Sequence, residues 1–309
     1  MRNRFKNKLV KFFFRVTKSA IYRHDLKAEQ YRKGMDFFTS FLGYPKRKVT
    51  FEPFDLGGMA AEWITPKAGT NGLVFLYLHG GGYGMGSIRS HRALATRIAL
   101  ESECRMLLID YRMAPEHKFP CAVEDAVKAY NFLRLSGYAA DRIVIGGDSA
   151  GGGLTVCTLA RIRDYGLDMP LAGVCMSPWM DLQGNDPRME EKQKEDPFID
   201  IKSIQIWGQN YAGHDIKNPY ASPKFASLKG LCPLLVQVGT AEVLYYDSVT
   251  LRENCERDGV PFIFEEYKDM VHVFQTFGGF LDESNTAIAR IGEFVRQKAK
   301  QPVNTSHSV

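Results

Sequence analysis

Several common sequence features are missing from this chain of 309 residues, and each absence excludes a class of protein. No run of about 18 uncharged apolar residues occurs, so a transmembrane helix is not expected. The six cysteines are scattered without a CxxC motif or a Cys/His cluster, which gives a metal site no support. Internal repeats and long low-complexity tracts are also absent, which excludes a repeat architecture.

A secretory signal is missing as well. The apolar stretch from Leu9 to Val16 is interrupted by Lys11 and Arg15, and no small-residue cleavage site follows it. Most of the cysteines lie inside apolar runs, as reduced core thiols do. Together these two features predict a cytoplasmic location.

The positive charge is concentrated in one part of the chain. The formal net charge is +5, but residues 1–34 contain eleven Lys/Arg against only Asp25 and Glu29. The rest is mildly acidic, with 29 basic and 33 acidic residues. A basic arm alone is non-specific, so nucleic acid is not predicted as a partner.

The basic arm also has a helical pattern of apolar residues. Lys8, Lys11, Arg15 and Lys18 are interleaved with the apolar positions, which are Phe5, Leu9, Phe12, Phe13, Val16 and Ala20. The spacing indicates an amphipathic helix. It favours a lid helix packed on the body, and it is also compatible with a helix lying on an anionic membrane surface. The two interpretations do not exclude each other.

The hydrophobic content of 45% suits one large α/β domain with an appended lid, or at most two domains. Apolar runs alternate with helical periodicities, which predicts a mostly parallel sheet with helices on both faces. The expected divisions are N-terminal helices at 1–45, a catalytic domain at 46–182 and 231–300, a lid insertion at 183–230 and a flexible tail at 301–309.

Two glycine-rich turns follow buried strands and carry the chemistry. The first, His79 to Gly82, predicts a cradle for an oxyanion. The second, Gly147 to Gly151, matches a nucleophile elbow that holds Ser149 at a strand-to-helix turn. Its glycines are needed because side chains two positions from the serine would clash. Together the turns predict transfer of an acyl group to water through a serine ester.

The general base follows from the order of the residues. In proteins with a nucleophile elbow between a strand and a helix, the catalytic residues occur along the chain in the order serine, acid, histidine. Only three histidines follow Ser149, and His307 lies in the polar tail. His214 precedes the strand predicted at Pro233–Val238, so no strand end would carry the acid between nucleophile and base. This elimination predicts His272, just after a strand, as the base.

The acid has two candidates after that strand. Glu242 lies nearer the strand end, whereas Asp247 begins the next helix and has a structural role there as a helix cap. We therefore predict Glu242, with Asp247 as the alternative. The predicted oxyanion donors are the N–H groups of Gly81, Gly82 and Ala150. His79 is expected to anchor the glycine loop.

Five motifs together give a specific family resemblance. They are His79-Gly80-Gly81-Gly82-Tyr83, Asp110-Tyr111-Arg112-Met113-Ala114-Pro115-Glu116, Gly147-Asp148-Ser149-Ala150-Gly151-Gly152, Ser177-Pro178-Trp179 with Asp181, and His272-Val273-Phe274. The chain resembles the hormone-sensitive-lipase-like esterases of the α/β-hydrolase superfamily, also described as bacterial family IV. The resemblance implies an eight-stranded sheet, a helical cap made from the N-terminal arm and the insertion, and no cofactor. The chain departs from the family in one place, where Glu242 replaces the common aspartate.

The predicted function is a serine carboxylesterase. The resemblance implies that it hydrolyses small-molecule esters with short to medium acyl chains. A lactone hydrolase or a deacetylase would use the same residues. A non-enzymatic receptor is the alternative of another class, since plant gibberellin receptors resemble this family but lack the catalytic histidine that His272 supplies here. The oligomeric state stays open, with a homodimer among the candidates.

Overall fold

The computed structural model of the chain describes residues 2–21 and 28–300. The expected tail at 301–309 lies outside the described residues, as does the segment between the first two helices. Within the described ranges, no helix combines the length and the apolar character needed to cross a bilayer. The six cysteines are all free thiols.

The centre of the molecule is an eight-stranded sheet. Its strands are β1 (Val49–Asp55), β2 (Ala60–Pro66), β3 (Val74–Leu78), β4 (Arg105–Ile109), β5 (Ile143–Asp148), β6 (Ala172–Met176), β7 (Leu234–Gly239) and β8 (Phe262–Tyr267). Their order in the sheet is β1-β2-β4-β3-β5-β6-β7-β8. The first two strands pair antiparallel, β2 pairs antiparallel with β4, and all other pairs are parallel. The mostly parallel eight-stranded sheet is therefore confirmed.

Helices precede, connect and follow these strands. They are α1 (Arg2–Ile21), α2 (Ala28–Thr39), α3 (Ile88–Ser102), α4 (Cys121–Leu135), α5 (Ala150–Asp164), α6 (Met189–Glu195), α7 (Ile201–Ala212), α8 (Tyr245–Asp258) and α9 (Asp282–Lys300). Successive side chains of β3 point to opposite faces of the sheet, so the hydrophobic core has two parts. Leu76 and Leu78 belong to the first part, whereas Phe75 and Tyr77 belong to the second. The first part packs against α4, α5 and α8, and the second against α3 and α9.

The segment 183–230, which the sequence predicts to be a lid insertion, contains two α-helices, α6 and α7, and the sequence predicted only α7. The segment that forms α6 reads Met-Glu-Glu-Lys-Gln-Lys-Glu, and Met189 is its only buried residue. Such a short charged segment has no apolar periodicity, so pattern analysis could not find it.

The N-terminal helix packs through a different side from the one expected. Val10 and Phe14 are buried, whereas the apolar residues chosen from the sequence are exposed, namely Phe5, Leu9, Phe12 and Val16. The side chains of Phe13 and Ala20 lie outside the description. Phe14 contacts the ring of Phe198 with a centroid distance of 4.5 Å. The helix therefore packs on the body, but the prediction of its inner face was wrong.

Candidate active site

Ser149 occupies a tight turn between β5 and α5. Its backbone is strained, with φ 55° and ψ −121°, and its N–H donates to the carbonyl of Met176 at 2.8 Å. A Cβ added to Gly147 would lie 2.6 Å from the Gly151 carbonyl oxygen, and one added to Gly151 would lie 2.0 Å from that of Leu78. The steric reason for both glycines is thus present, and the turn places Ser149 directly after the carboxyl end of β5.

The first glycine loop lies beside this turn. Gly81 and Gly82 have positive φ values of 115° and 61°. A Cβ on Gly81 would lie 2.3 Å from the Met85 carbonyl oxygen, and one on Gly82 would lie 2.9 Å from the Trp207 ring. No described residue accepts a hydrogen bond from the N–H of either glycine. Ala150 is the first residue of α5, where backbone N–H groups lack intrahelical partners.

His272 and Glu242 lie together, although the loops that carry them follow different strands. Nδ1 of His272 is hydrogen-bonded to Oε2 of Glu242. The other carboxylate oxygen, Oε1, accepts from the hydroxyl of Ser177 and from the N–H of Gly239, both at 2.8 Å. The same Ser177 hydroxyl accepts from the N–H of Val273 at 3.3 Å. One buried serine therefore connects the acid loop to the histidine loop.

The charge on this pair is set by two opposing effects. Burial disfavours a charged imidazole, but the Glu242 carboxylate, with smaller contributions from Asp196 and Asp148, more than offsets this effect, so the pKa of His272 is raised. A carboxylate can only accept a hydrogen bond, so neutral His272 carries its proton on Nδ1. Nε2 is then unprotonated and available to accept a proton.

Asp247 lies in a different environment. Its Oδ2 accepts from the N–H of Met180 at 3.0 Å and from that of Asp181 at 3.4 Å. Burial raises the pKa of Asp247 to about 8. A carboxyl group that is largely protonated at neutral pH is a poor partner for a cationic imidazole. His272 donates its Nδ1 hydrogen bond to Glu242 and not to Asp247.

A layer of buried polar groups lies behind the glycine loop. Asp148 accepts from the hydroxyl of Tyr77 at 2.7 Å and from the N–H of Gly80 at 3.2 Å, and it lies 3.4 Å from Nε2 of His91. Burial opposes both charges, yet the pair lowers the pKa of Asp148 and raises that of His91. Burial lowers the pKa of His79 to about 3, and its ring donates to the Gly80 carbonyl at 2.8 Å. The loop is therefore held from its inner side.

Ser149, His272, Gly81 and Gly82 all border one cavity of about 440 Å³. Much of its wall is aromatic, with Phe14, Phe38, Phe198, Trp207 and Phe277. In the described ranges, no group of three or more His, Cys, Asp or Glu side chains is arranged to hold a metal ion. The cavity thus combines a serine, a histidine and two glycine N–H groups with apolar walls.

Comparison with known proteins gives a consistent result. The family described as alpha/beta hydrolase fold matches residues 75–276. The chain belongs to this family. It is 40% identical to an acetyl-hydrolase of Streptomyces hygroscopicus over 256 residues, which is 82% of this chain and 84% of that protein. It is 35% identical to an esterase of Acinetobacter venetianus over 248 residues, which is 80% and 82% of the two chains.

The solved structures place this α/β-hydrolase more narrowly. An esterase from the bacterial hormone-sensitive lipase family superposes with a TM-score of 0.91 at 39% identity, covering 95% of this chain and 98% of that one. A hormone-sensitive lipase from a metagenome library gives a TM-score of 0.90 at 33% identity, covering 95% and 98%. The resemblance seen in the sequence is confirmed, and the chain is a carboxylic-ester hydrolase of this group.

Sequence analysis of this esterase predicted His79 as an anchor of the glycine loop, and its ring is hydrogen-bonded there, but it gave no supporting role to Ser177, His91 or Asp148. Ser177 appeared only as part of a family motif, although it directly follows the carboxyl end of β6, where reactive groups gather in such sheets. The position of Ser177 at a strand end could therefore have indicated a role in the active site. His91 and Asp148 are 57 positions apart, and nothing in the sequence indicates that α3 brings the histidine beside the elbow.

Proposed function

We propose that this esterase hydrolyses small carboxylic esters through an acyl-enzyme, with Ser149 as nucleophile, His272 as general base and Glu242 as the acid that orients the base. The hydrogen bond between Glu242 and His272 carries the proposal, because it leaves Nε2 free to take a proton at the cavity that Ser149 also borders. Glutamate stands where the family commonly has aspartate, and its longer side chain reaches the imidazole from the loop after β7.

The reaction runs in two balanced stages. Ser149 Oγ attacks the ester carbonyl carbon while its proton passes to Nε2 of His272. The tetrahedral intermediate collapses, the bond to the alcohol oxygen breaks, and His272 returns the proton to the leaving alcohol. A water molecule then attacks the acyl-enzyme with the same histidine as base. The carboxylic acid leaves and Ser149 regains its proton.

Gly81, Gly82 and Ala150 are proposed to donate their N–H groups to the oxyanion. Support comes from the lack of a described acceptor for the two glycine N–H groups and from their position at the cavity. Preorganised donors of this kind stabilise charge that develops only in the transition state. The ion pair of His91 and Asp148 acts through Gly80 and is proposed to position the loop.

The shape and lining of the cavity support the proposed substrate class. A volume of about 440 Å³ with aromatic walls suits an ester with a short or medium acyl chain. Helices α1 and α2 and the insertion at 183–230 contribute much of this wall, and we treat them as a cap over the catalytic domain. A fully polar substrate would find few hydrogen-bond partners there.

The test uses nitrophenyl esters of graded chain length with the wild type and Ser149→Ala. The wild type should prefer short or medium chains, and Ser149→Ala should lose turnover while unfolding at the wild-type temperature. Ser136→Ala, which removes an exposed hydroxyl directly after α4, is the matched control and should be unaffected. Undiminished turnover by Ser149→Ala would exclude the proposed nucleophile.

Removal of acetyl groups is a second candidate, favoured by one observation. The Streptomyces hygroscopicus relative is named an acetyl-hydrolase. If acetyl esters are the preferred substrates, kcat/KM should peak at the acetate and fall for every longer ester in the same series. A maximum at butyrate or longer would count against a dedicated deacetylase.

A further inference from the structure

The N-terminal helix α1 is fixed to the body along one narrow side. Val10 and Phe14 are each 5% exposed, and the Asn7 side chain donates to the Asp269 carbonyl at 2.9 Å. Lys11 forms an ion pair with Asp269, and Lys18 donates to the carbonyl of Ile199. These contacts set the rotation of the helix about its axis. They therefore decide which side faces away from the molecule.

The side facing away is apolar. We call it the outer stripe, and its members are Phe5, Leu9, Phe12 and Val16, which are 70%, 48%, 64% and 59% exposed. Their spacing of four, three and four residues aligns them along one face of a helix. The stripe extends for about 16 Å at a rise of about 1.5 Å per residue. A continuous apolar line of this kind on an anchored surface helix indicates a binding partner.

Basic residues adjoin the outer stripe. Lys8 and Arg15 are exposed, and they lie three or four positions from Phe5 and Phe12, which makes them neighbours on the helix surface. The whole arm carries eleven Lys/Arg and two acidic residues, whereas the remainder carries more acidic than basic residues. An anionic surface would thus attract the arm and repel the rest, which orients the molecule with α1 towards that surface.

Apolar residues flanked by cations are typical of helices that lie in a lipid–water interface. A nucleic acid would use the cations but would leave the apolar stripe in water. A second copy of this chain would bring two strongly basic arms together, which is unfavourable. We propose that the outer stripe of α1 docks this esterase on an anionic lipid surface.

Docking would also bring the active site to that surface. Phe14, on the inner side of the same helix, lines the cavity that contains Ser149. Phe37 of α2 lines the cavity too and is 68% exposed. A helix that contacts lipid on its outer side therefore forms a cavity wall on its inner side. Delivery of interfacial esters to Ser149 depends on the proposed function, whereas docking itself does not.

The test is co-sedimentation of the full chain with phosphatidylcholine vesicles, with and without phosphatidylglycerol. We expect the wild type to bind vesicles containing phosphatidylglycerol and to be released by salt. Phe5→Ser combined with Phe12→Ser should weaken this partitioning by roughly tenfold or more. Lys8→Gln combined with Arg15→Gln should reduce the preference for anionic vesicles. The matched control is Leu135→Ser with Tyr165→Ser, which removes exposed apolar side chains from α4 and the end of α5.

Hydrolysis of a soluble nitrophenyl ester separates docking from chemistry. The outer-stripe variant should keep this activity, and Ser149→Ala should lose the activity but keep vesicle binding. The proposal is overturned if the wild type does not sediment with anionic vesicles or if the outer-stripe variant binds them as well as the wild type. It is also overturned if the substitutions convert a dimer into a monomer without any vesicle binding, because a second copy then covers the stripe.

Discussion

Replacing Glu242 with glutamine tests the proposed site most directly. The Oε1 atom of the side chain accepts from two donors, the Ser177 hydroxyl and the Gly239 N–H. The N–H cannot accept, so the glutamine amide is expected to keep its oxygen at this position. Its NH₂ group then replaces Oε2 and faces Nδ1 of His272. The histidine must accept this hydrogen bond, which moves its proton to Nε2.

The size of the effect follows from this change of tautomer. With a proton on Nε2, His272 cannot take the proton of Ser149. The equivalent asparagine substitution in a serine protease lowers kcat by about 10⁴-fold with the geometry intact. At about 1.36 kcal/mol per factor of ten, this corresponds to about 5 kcal/mol of lost transition-state stabilisation. We expect a loss of similar size for Glu242→Gln.

The pH dependence gives a second readout of the same substitution. The raised pKa of His272 depends on the Glu242 carboxylate, because burial alone would lower it. The base must be neutral, so activity falls as the pH drops through this pKa. Without the carboxylate, the acid limb of kcat/KM should move to lower pH. A merely structural role of Glu242 would leave the position of the limb unchanged.

The assay is stopped-flow or steady-state hydrolysis of a nitrophenyl ester over a range of pH, with thermal unfolding measured in parallel. Asp247→Asn is the matched control, because its remaining amide oxygen can accept from Met180 and Asp181 as the carboxylate does. Its kcat should stay close to the wild-type value. If Asp247→Asn loses most turnover while Glu242→Gln keeps it, the assignment of the acid is wrong.

Three further predictions test the loops and the buried acid. Gly82→Ala places a methyl group 2.9 Å from Trp207 and should lower kcat by about 10²–10³-fold in steady-state kinetics. The control is Gly84→Ala, whose methyl group meets no atom closer than 3.6 Å and should leave kcat unchanged. Gly151→Ala puts its methyl 2.0 Å from the Leu78 carbonyl and should cost about 3 kcal/mol or more in urea unfolding, unlike Gly43→Ala, which meets nothing within 4 Å. The pKa of Asp247 is about 8 in the folded state, which is above its unfolded value. Over the pH range between these two values, the folded state holds a proton that the unfolded state has lost. The free energy of unfolding of the wild type should therefore fall by about 2 kcal/mol from about pH 6 to about pH 8. Asp247→Asn should remove this contribution to the slope, and equal slopes for both proteins would contradict it.

The sheet was predictable because its strands carry a strong signal. β3, β5, β6 and β7 are buried along their whole length, so they read as continuous apolar runs between turn residues. The edge strand β8 is mostly half-buried, and it was also predicted, within Pro261–Tyr267. The charged helix α6 had no such signal, since its place depends on contacts of the insertion with the body.

The active-site residues were predictable where backbone geometry restricts residue type. Gly147, Gly151 and Gly82 each stand where a Cβ would collide with another atom, so glycine itself marks the turn. The buried polar residues that support these glycines are not marked in the sequence by a residue type of this kind. Asp148 meets Tyr77 and His91 only because β5, β3 and α3 are adjacent in the fold. Side-chain contacts between distant segments need the three-dimensional arrangement.

The N-terminal helix shows why apolar periodicity does not reveal which face of a helix packs on the body. Two apolar faces run along α1, and the pattern chosen from the sequence, Phe5 to Val16, is the stronger one. The body instead takes the weaker pair, Val10 and Phe14, because Asn7 and Lys11 on that side reach the Asp269 loop. A rotation of the helix could bury the stronger face, but it would break these polar contacts. The contacts instead keep the outer stripe exposed, as the proposed docking on a lipid surface requires.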